Sequence, residues 1–545
     1  MTSDTGASST AHVLSRAKPL QWALLVITSL AVLARAVSSA WVGEDALITF
    51  RVIDNFVNGH GLRWNVDQRV QVSTHPLWLL LNACAYFFTR EVPYTVTALG
   101  LGFSLAAYVG AARRLVQRSP ILLAAFFLPI MFSKTLAVYS TSGFETPLTL
   151  FLLSVFSVSL LSGGGDESTR WLRLSLLAAL GTTARLDNVL LYAPVLLVIC
   201  VVERHEIRWG RFALGLAPLF AWIAFSLFYY GFAYPNTAPA KLSPDYPLAS
   251  YVREGLGYGV DLLRNDPASA VALGLGVLTV VGCIERLRCD PRDVLAGRLA
   301  GLGVGAVLYA LYVVRIGGGF LSGRFWTMPI FASLLVFSFG LPTVVRQLRS
   351  APGPLAGAMG LAAAVMWLAC ATAVRVPAQG PIHEKSLAHL YLRSDLSWAP
   401  TAGAVRHSRA GERHRELASR NPGKYVELID VIGFAGLAAG PEVILVDRFA
   451  LADPFLARLP LDPHTHWRIG HLPRKIPPGY LFARRTGSLD EMEPQLREYY
   501  AKLSLLVSGP LLSWERLRAI AGFNLGCYDT LLDGWRARVV TDTTP

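Results

Sequence analysis

Residues 20–45 read LQWALLVITSLAVLARAVSSAWVGED. Arg35 is the only charge in an apolar run of the length that crosses a bilayer, about 20 residues, and the run delivers the adjacent carboxylates Glu44-Asp45 to one membrane face. Similar runs recur at 93–112, 119–139, 144–162, 171–185, 188–203, 211–231, 268–284, 298–315, 325–345 and 354–376. With 20–42 they predict a polytopic α-helical membrane protein of about eleven transmembrane helices. The composition agrees. Of 545 residues, 53% are hydrophobic and 16% charged, with a mean hydropathy of +0.42. Soluble chains carry roughly 25% charged residues, so a string of soluble domains is excluded, and disorder fails on the same numbers. Ser38-Ser39-Ala40 resembles a signal-peptidase site, but the apolar core exceeds a signal peptide's, so the first span is expected to be a retained anchor. The cysteines form neither a disulfide framework nor a zinc pattern.

The formal net charge of +13 is first a matter of topology. Lys and Arg favour cytoplasmic loops. Alternate loops hold Arg16/Lys18, Arg113/Arg114/Arg118, Arg170/Arg173, Arg204/Arg208/Arg211, Arg286/Arg288/Arg292/Arg298 and Arg346/Arg349, whereas the short loops opposite hold only Lys134, Arg185 and Arg315/Arg324. The asymmetry predicts a cytoplasmic N terminus, an outer C terminus and no need of nucleic acid. It also requires that 75–89 is not a span. That segment and 44–58 are expected to be helices along the outer interface, where amphipathic segments with aromatics settle. The expected organisation is a tail at 1–19, a membrane domain at 20–379 with an outer loop at 43–92, and an extracytoplasmic soluble α/β domain at 380–545. In that domain 442–447 is a predicted strand and 491–503 a predicted helix.

On this topology the polar clusters gather at the outer face: Glu44-Asp45, Asp54 to His75, Ser142 to Glu145, Ala184 to Asp187, Tyr234 to Lys241 and Arg315 to Arg324. Ionisable groups at membrane depth are costly and usually line a cavity. Glu44-Asp45 suits a general base and its partner, or a pair of divalent-cation ligands, and one of the two should have a raised pKa. The bland reading is that either acid caps the following helix. Arg185, Lys241, Arg315 and Arg324 could hold an anionic leaving group, with the amides of Gly317-Gly318-Gly319 approaching an oxyanion. Trp64, Trp78 and Trp326 could stack on a sugar, and His464, His466 and His471 do not match zinc spacing. A transporter or lipid flippase would place polar groups nearer span centres. A non-catalytic envelope-assembly scaffold would not need the acids opposite basic loops.

A family resemblance lies in the same residues. Glu44-Asp45-Ala46-Leu47-Ile48-Thr49-Phe50-Arg51, Asp54-Asn55-Phe56, Gly59-His60-Gly61-Leu62-Arg63-Trp64-Asn65 and Thr74-His75-Pro76-Leu77-Trp78 resemble the mycobacterial-type, AftB-like terminal arabinofuranosyltransferases of the GT-C class of membrane glycosyltransferases. Ser142 to Leu148, Ala184 to Asn188, Tyr234 to Thr237 with Lys241, Ala452 to Pro460 and Arg468 to His471 are also similar. Two departures stand out: Glu44 where relatives often have aspartate, and Gly318-Gly319-Phe320 where they tend to read Gly-Gly-Asp-Phe. The resemblance implies a polyprenyl-phosphate sugar donor, with D-arabinofuranose the sugar it points to, and a glycan or glycoconjugate acceptor at the outer face of the bilayer, which is then a bacterial plasma membrane. It implies Asp45 as base with Glu44 beside it, and phosphate binding by Arg185, Lys241, Arg324 and Arg315. Substrate contacts are implied for Arg51, His75, Glu145, Asp187, Asn236, Trp64, Asp453, Arg468 and His471. No cofactor is required, and a divalent cation is compatible.

Overall fold

The computed structural model describes residues 19–161, 167–203, 206–350, 388–421, 423–463 and 469–541. Five helices are long and apolar enough to cross a membrane: Pro19–Ser38 (α1), Pro93–Val116, Pro267–Cys289, Val294–Arg315 and Arg324–Arg346. A sixth is added if Trp209–Gly215 and Ala217–Tyr230, bent by 46°, form one span. Shorter apolar helices include Pro120–Phe132, Thr146–Leu161 and Leu186–Val202. The chain is a helical membrane protein. All the predicted spans but one coincide with these helices or with Glu167–Ala184; the last, 354–376, lies outside the described residues. The 119–139 segment is two helices. Ser133 is extended and breaks the run, and its hydroxyl accepts from the Leu136 amide at 2.9 Å to start Lys134–Val138.

The two predicted interfacial helices form as Glu44–Val57 (α2) and Pro76–Thr89 (α3). One helix escaped the hydropathy reading, Leu248–Asn265, whose polar residues hide an inward stripe of Tyr251, Gly255, Tyr258 and Leu262. That spacing is one face of a helix. Gly255 lets it lie against the end of Val294–Arg315, where a Cβ would come 2.1 Å from the Val314 carbonyl oxygen.

Beyond the bundle, Trp41–Gly43 (β1) pairs antiparallel with His389–Leu392 (β2), which pairs with Trp398–Pro400 (β3). The strand that carries the chain to Glu44 is thus stitched to the C-terminal region. Tyr425–Ile429 (β4) and Val443–Asp447 (β5) are parallel and joined through the helix Phe434–Ala439, and the predicted strand is β5. The predicted helix at 491–503 is Pro494–Ser508.

The outer loop and the C-terminal region share one hydrophobic core, with Trp41, Phe50, Trp64 and Trp78 packed with Val443, Leu445, Phe455, Tyr480 and Tyr499. Arg51 ties the two together. Its fully buried guanidinium donates to the carbonyls of Trp64 at 2.8 Å, Gly436 at 2.6 Å and Val443 at 2.8 Å, and lies 4.2 Å from the Trp64 ring centroid. Burial without a carboxylate partner lowers its pKa to about 9. Arg51→Met would leave those buried carbonyls unpaired, at a cost of about 3 kcal/mol or more. We expect a lower unfolding midpoint in detergent; an unchanged midpoint would return Arg51 to the list of substrate contacts.

Candidate active site

Glu44 and Asp45 are the first two residues of α2. Neither caps it: the N-cap is Gly43, and no side chain accepts a capping bond. The acids gain from the positive end of the helix, but their side chains are engaged elsewhere. Glu44 Oε1 accepts from the Gly433 amide, at the start of the β4–β5 crossover. Asp45 Oδ2 accepts from Arg324 Nη1 at 2.9 Å. The pair is split electrostatically. Burial, and then the charge of Asp45, raise Glu44 to about 8. Burial would raise Asp45 too, but Arg324, Lys241 and His471 outweigh it and hold Asp45 below its ordinary value. One acid is raised, as the sequence predicted, and it is Glu44.

Arg324 is held in place by aromatic faces, with its guanidinium carbon 3.7 Å from the Phe144 ring centroid and 5.6 Å from that of Phe325. Such stacking positions a cation without neutralising it. Arg185 lies against the other part of the same wall, 4.9 Å from Phe325. It donates to Glu145 at 2.5 Å and to both oxygens of Asp187 at 2.7 and 2.8 Å. Glu145, 2% exposed, also meets His75 Nδ1 at 3.2 Å, while His75 Nε2 is 2.9 Å from the Thr49 hydroxyl. Burial, opposed by Glu145, takes His75 to about 4. The ring is therefore neutral, with Nε2 at the Thr49 hydroxyl and Nδ1 between the Thr74 hydroxyl at 3.3 Å and the Glu145 carboxylate. Arg185 and His75 hold Glu145 ionised well below the usual carboxylate range despite burial.

Two cavities meet at this cluster. The first, about 1150 Å³ counting its open mouth, combines Arg185, Lys241 and Arg324 with apolar walls that include Tyr234, Tyr251, Tyr312 and Phe325. The second, about 1380 Å³, contains Glu44 and Asp45 and is closed from the C-terminal side by Arg406, His407, Asp430 and His471. Phe320 and Leu321 line both. The Asp45–Arg324 pair spans the boundary, with its acid in one cavity and its cation in the other. Lys241 is the cation that holds no ion pair among the described residues. Burial lowers its pKa and Asp45 opposes the drop.

The predicted site residues therefore divide. Glu44, Asp45, Arg185, Asp187, Lys241, Arg324 and His471 line the cavities, and His75 and Glu145 lie directly behind Arg185. Arg315 is exposed at the end of its helix and lines neither cavity. Trp64 is buried beneath Arg51. Trp78 donates to the Gly143 carbonyl at 3.0 Å, and Trp326 stacks on Tyr258. Asn236 donates to the carbonyls of Ala450, Leu451 and Asp453. The Asp453 carboxylate accepts from Tyr480 at 2.6 Å and from the Phe455 and Leu456 amides. Asn236 thus fastens the C-terminal region to the bundle, and Asp453 braces that region internally. The triple glycine is a turn rather than an anion nest. Gly317 and Gly318 have φ of +83° and +68°, and their amides donate to the Val314 and Val313 carbonyls. Arg468, His464 and His466 lie outside the described residues. Among those described, no group of three or more His, Cys, Asp or Glu is arranged to hold a metal ion.

Phe144, Phe325, Arg406 and Asp430 were not anticipated. Phe144 lay in a quoted motif, Ser142 to Leu148, and signalled a role only through its proximity to Glu145.

No family model matches the chain. Among curated proteins it is 26% identical over 372 residues to a terminal β-(1→2)-arabinofuranosyltransferase of Corynebacterium glutamicum, covering 58% of this chain and 51% of that one. It is 25% identical over 512 residues to a protein of the same name from Mycobacterium tuberculosis, covering 79% and 80%. The chain thus spans about half the length of the first relative and most of the second. Solved structures give fainter likenesses. The crystal structure of ArnT from Cupriavidus metallidurans bound to undecaprenyl phosphate has a TM-score of 0.46 at 10% identity, over 79% of this chain and 87% of that one. The Archaeoglobus fulgidus oligosaccharyltransferase complex with zinc and sulfate has a TM-score of 0.47 at 14% identity, over 79% and 62%. By sequence, this chain is similar to these two terminal β-(1→2)-arabinofuranosyltransferases, the kind of protein its first-loop motifs resemble.

Proposed function

We propose that the protein is a GT-C-type glycosyltransferase of a bacterial plasma membrane, moving a pentose from a polyprenyl-phosphate donor to a hydroxyl of an envelope glycan outside the membrane. D-Arabinofuranose is the sugar that its relatives' names favour. The reading includes about eleven spans, a cytoplasmic N terminus and an extracytoplasmic C-terminal region. The observation that carries it is the Asp45–Arg324 pair bridging an apolar cavity with three cations and a polar cavity facing the C-terminal region. The donor's lipid-phosphate end suits the first cavity and the glycan the second.

In the reaction the acceptor oxygen bonds to the anomeric carbon, the bond from that carbon to the phosphate oxygen breaks, and the acceptor proton passes to Asp45. Lys241, Arg324 and Arg185 stabilise the charge gathered on the departing phosphate, the kind of electrostatic help that often dominates catalysis. Arg185 is already matched by Glu145 and Asp187, and Arg324 by Asp45. Of the three cations in the first cavity, Lys241 is therefore the one without an ion pair among the described residues.

Lys241→Met is expected to raise the donor KM about tenfold or more, the scale of one charge-assisted hydrogen bond, and to leave the acceptor KM unchanged. Equal donor KM values would remove Lys241 from the phosphate site. The activity itself is tested with purified protein in nanodiscs, radiolabelled decaprenyl-phosphate arabinofuranose and a short arabinan. Elongated glycan is the expected product. Intact donor after prolonged incubation would sink the proposal, and labelled lipid crossing a vesicle without product would support a flippase.

A further inference from the structure

We propose that the helix Trp514–Asn524 and the turn before it are a second membrane contact, through which the C-terminal region rests on the lipid surface. The inward face of this helix is well occupied. Arg516, with none of its surface exposed, donates through Nε to the Leu506 carbonyl at 2.8 Å and through Nη2 to those of Phe228 and Tyr229 at 2.8 and 3.0 Å. Asn524 donates to Gly231 at 2.8 Å. These bonds fix the helix against the end of Ala217–Tyr230, whose own Phe220, Leu227 and Phe228 are exposed as a lipid-facing helix requires. The helix therefore lies where that apolar surface stops, at the bilayer boundary.

Its outward face is apolar as well. Trp514, Leu517, Ala521 and Leu525 follow one another at helical spacing on one side, and Leu512 precedes them in the turn. Leu512 is 82% exposed, Trp514 62% and Leu525 78%. Arg518 flanks the row, with its guanidinium carbon 5.4 Å from the Trp514 ring centroid. An outward row of Trp and Leu edged by a cation has the chemistry of an interfacial helix, with an aromatic at headgroup level and a basic residue toward lipid phosphate. A water-facing helix would carry polar residues there. The occupant we assign is the bilayer the chain already spans, because the helix is bonded to the end of Ala217–Tyr230, whose Phe220, Leu227 and Phe228 are exposed. The contact does not depend on the proposed transfer reaction.

The full chain in nanodiscs tests this, with Cys84, Cys200, Cys289, Cys370 and Cys527 changed to serine, the buried Cys283 kept, and a single environment-sensitive fluorophore on Leu512→Cys or Leu525→Cys. The same label on Ser419→Cys, an exposed site of the helix Ala402–Arg420, is the reference. Interfacial helices sit about 5–10 Å into the headgroup and acyl boundary, so lipids with a nitroxide at the 5-position should quench the first two labels about twofold and leave the third unchanged. Equal, weak quenching at all three sites would overturn the proposal. So would labels shielded from water-soluble quencher but not quenched by lipid, which would indicate a protein partner or a second copy. All three positions are exposed, so misfolding is not expected, and an unchanged elution profile checks it.

Discussion

Asp45→Asn is expected to lower the rate of glycosyl transfer by about 10²–10⁴-fold, the usual contribution of a positioned general base, with donor binding retained. The amide keeps the shape of the side chain and can still accept from Arg324, but it cannot take the acceptor's proton. The resting pair makes Asp45 a weak base, because Arg324 at 2.9 Å holds its pKa down. A donor phosphate that drew Arg324 toward itself would relax that hold and let the pKa of Asp45 rise where the proton is transferred. Glu44→Gln separates the two acids. At about 8, Glu44 is protonated at neutral pH, and glutamine imitates that neutral form. We expect Glu44→Gln to keep most of the activity and to remove a limb near pH 8 from the rate profile.

The same shift bears on stability. Folding raises Glu44 from 4.5 to about 8, so the folded chain holds the extra proton between those values. Its contribution is fully present below the lower value and is lost as pH rises through the upper one. Unfolding midpoints measured across that window should fall with pH in the parent and less steeply in Glu44→Gln. If Glu44→Gln abolished transfer and Asp45→Asn did not, the base would be Glu44.

What sequence could reveal followed from the range of the forces involved. Apolar helices are local: hydropathy over a window marks α2 and α3, and the sidedness of Lys and Arg predicts Glu44-Asp45 on the face opposite the basic loops, beside the few cations left there. The convergence of Arg185, Lys241 and Arg324 followed from that sidedness alone. The roles of Arg51, Asn236 and Asp453 were not legible, because a polar group that binds buried carbonyls, amides or hydroxyls of the protein has the same chemistry as one that binds a sugar. Only the partner distinguishes them. Arg51 meets Gly436 across 385 residues and Asn236 meets Leu451 across 215. Leu248–Asn265 was overlooked because its inward stripe is diluted by polar residues, so a window average stays low although one face is buried.

Glu145→Ala is expected to destabilise the protein by about 3–5 kcal/mol, the cost of leaving a buried charge without its partner. Glu145 joins two parts of the site. Through His75 and Thr49 it reaches α2 one turn after Asp45, and through Arg185 it reaches the wall of the first cavity. Removing it leaves a largely buried guanidinium leaning on Asp187 alone and takes the acid from beside the His75 ring. Gln at the same position keeps the length and one acceptor oxygen, so Glu145→Gln should recover part of the stability but not the charge. A melting midpoint that falls strongly for Ala and less for Gln would fit a buried clamp. Midpoints equal to the parent for both, with donor KM alone raised, would instead mean that Glu145 meets the substrate directly. The distinction matters because Arg185 is matched by two acids at 2.5–2.8 Å. An arginine so neutralised attracts a phosphate weakly by charge, and its use lies in presenting fixed N–H groups beside Lys241. Loosening it should therefore reduce kcat more than it weakens donor binding.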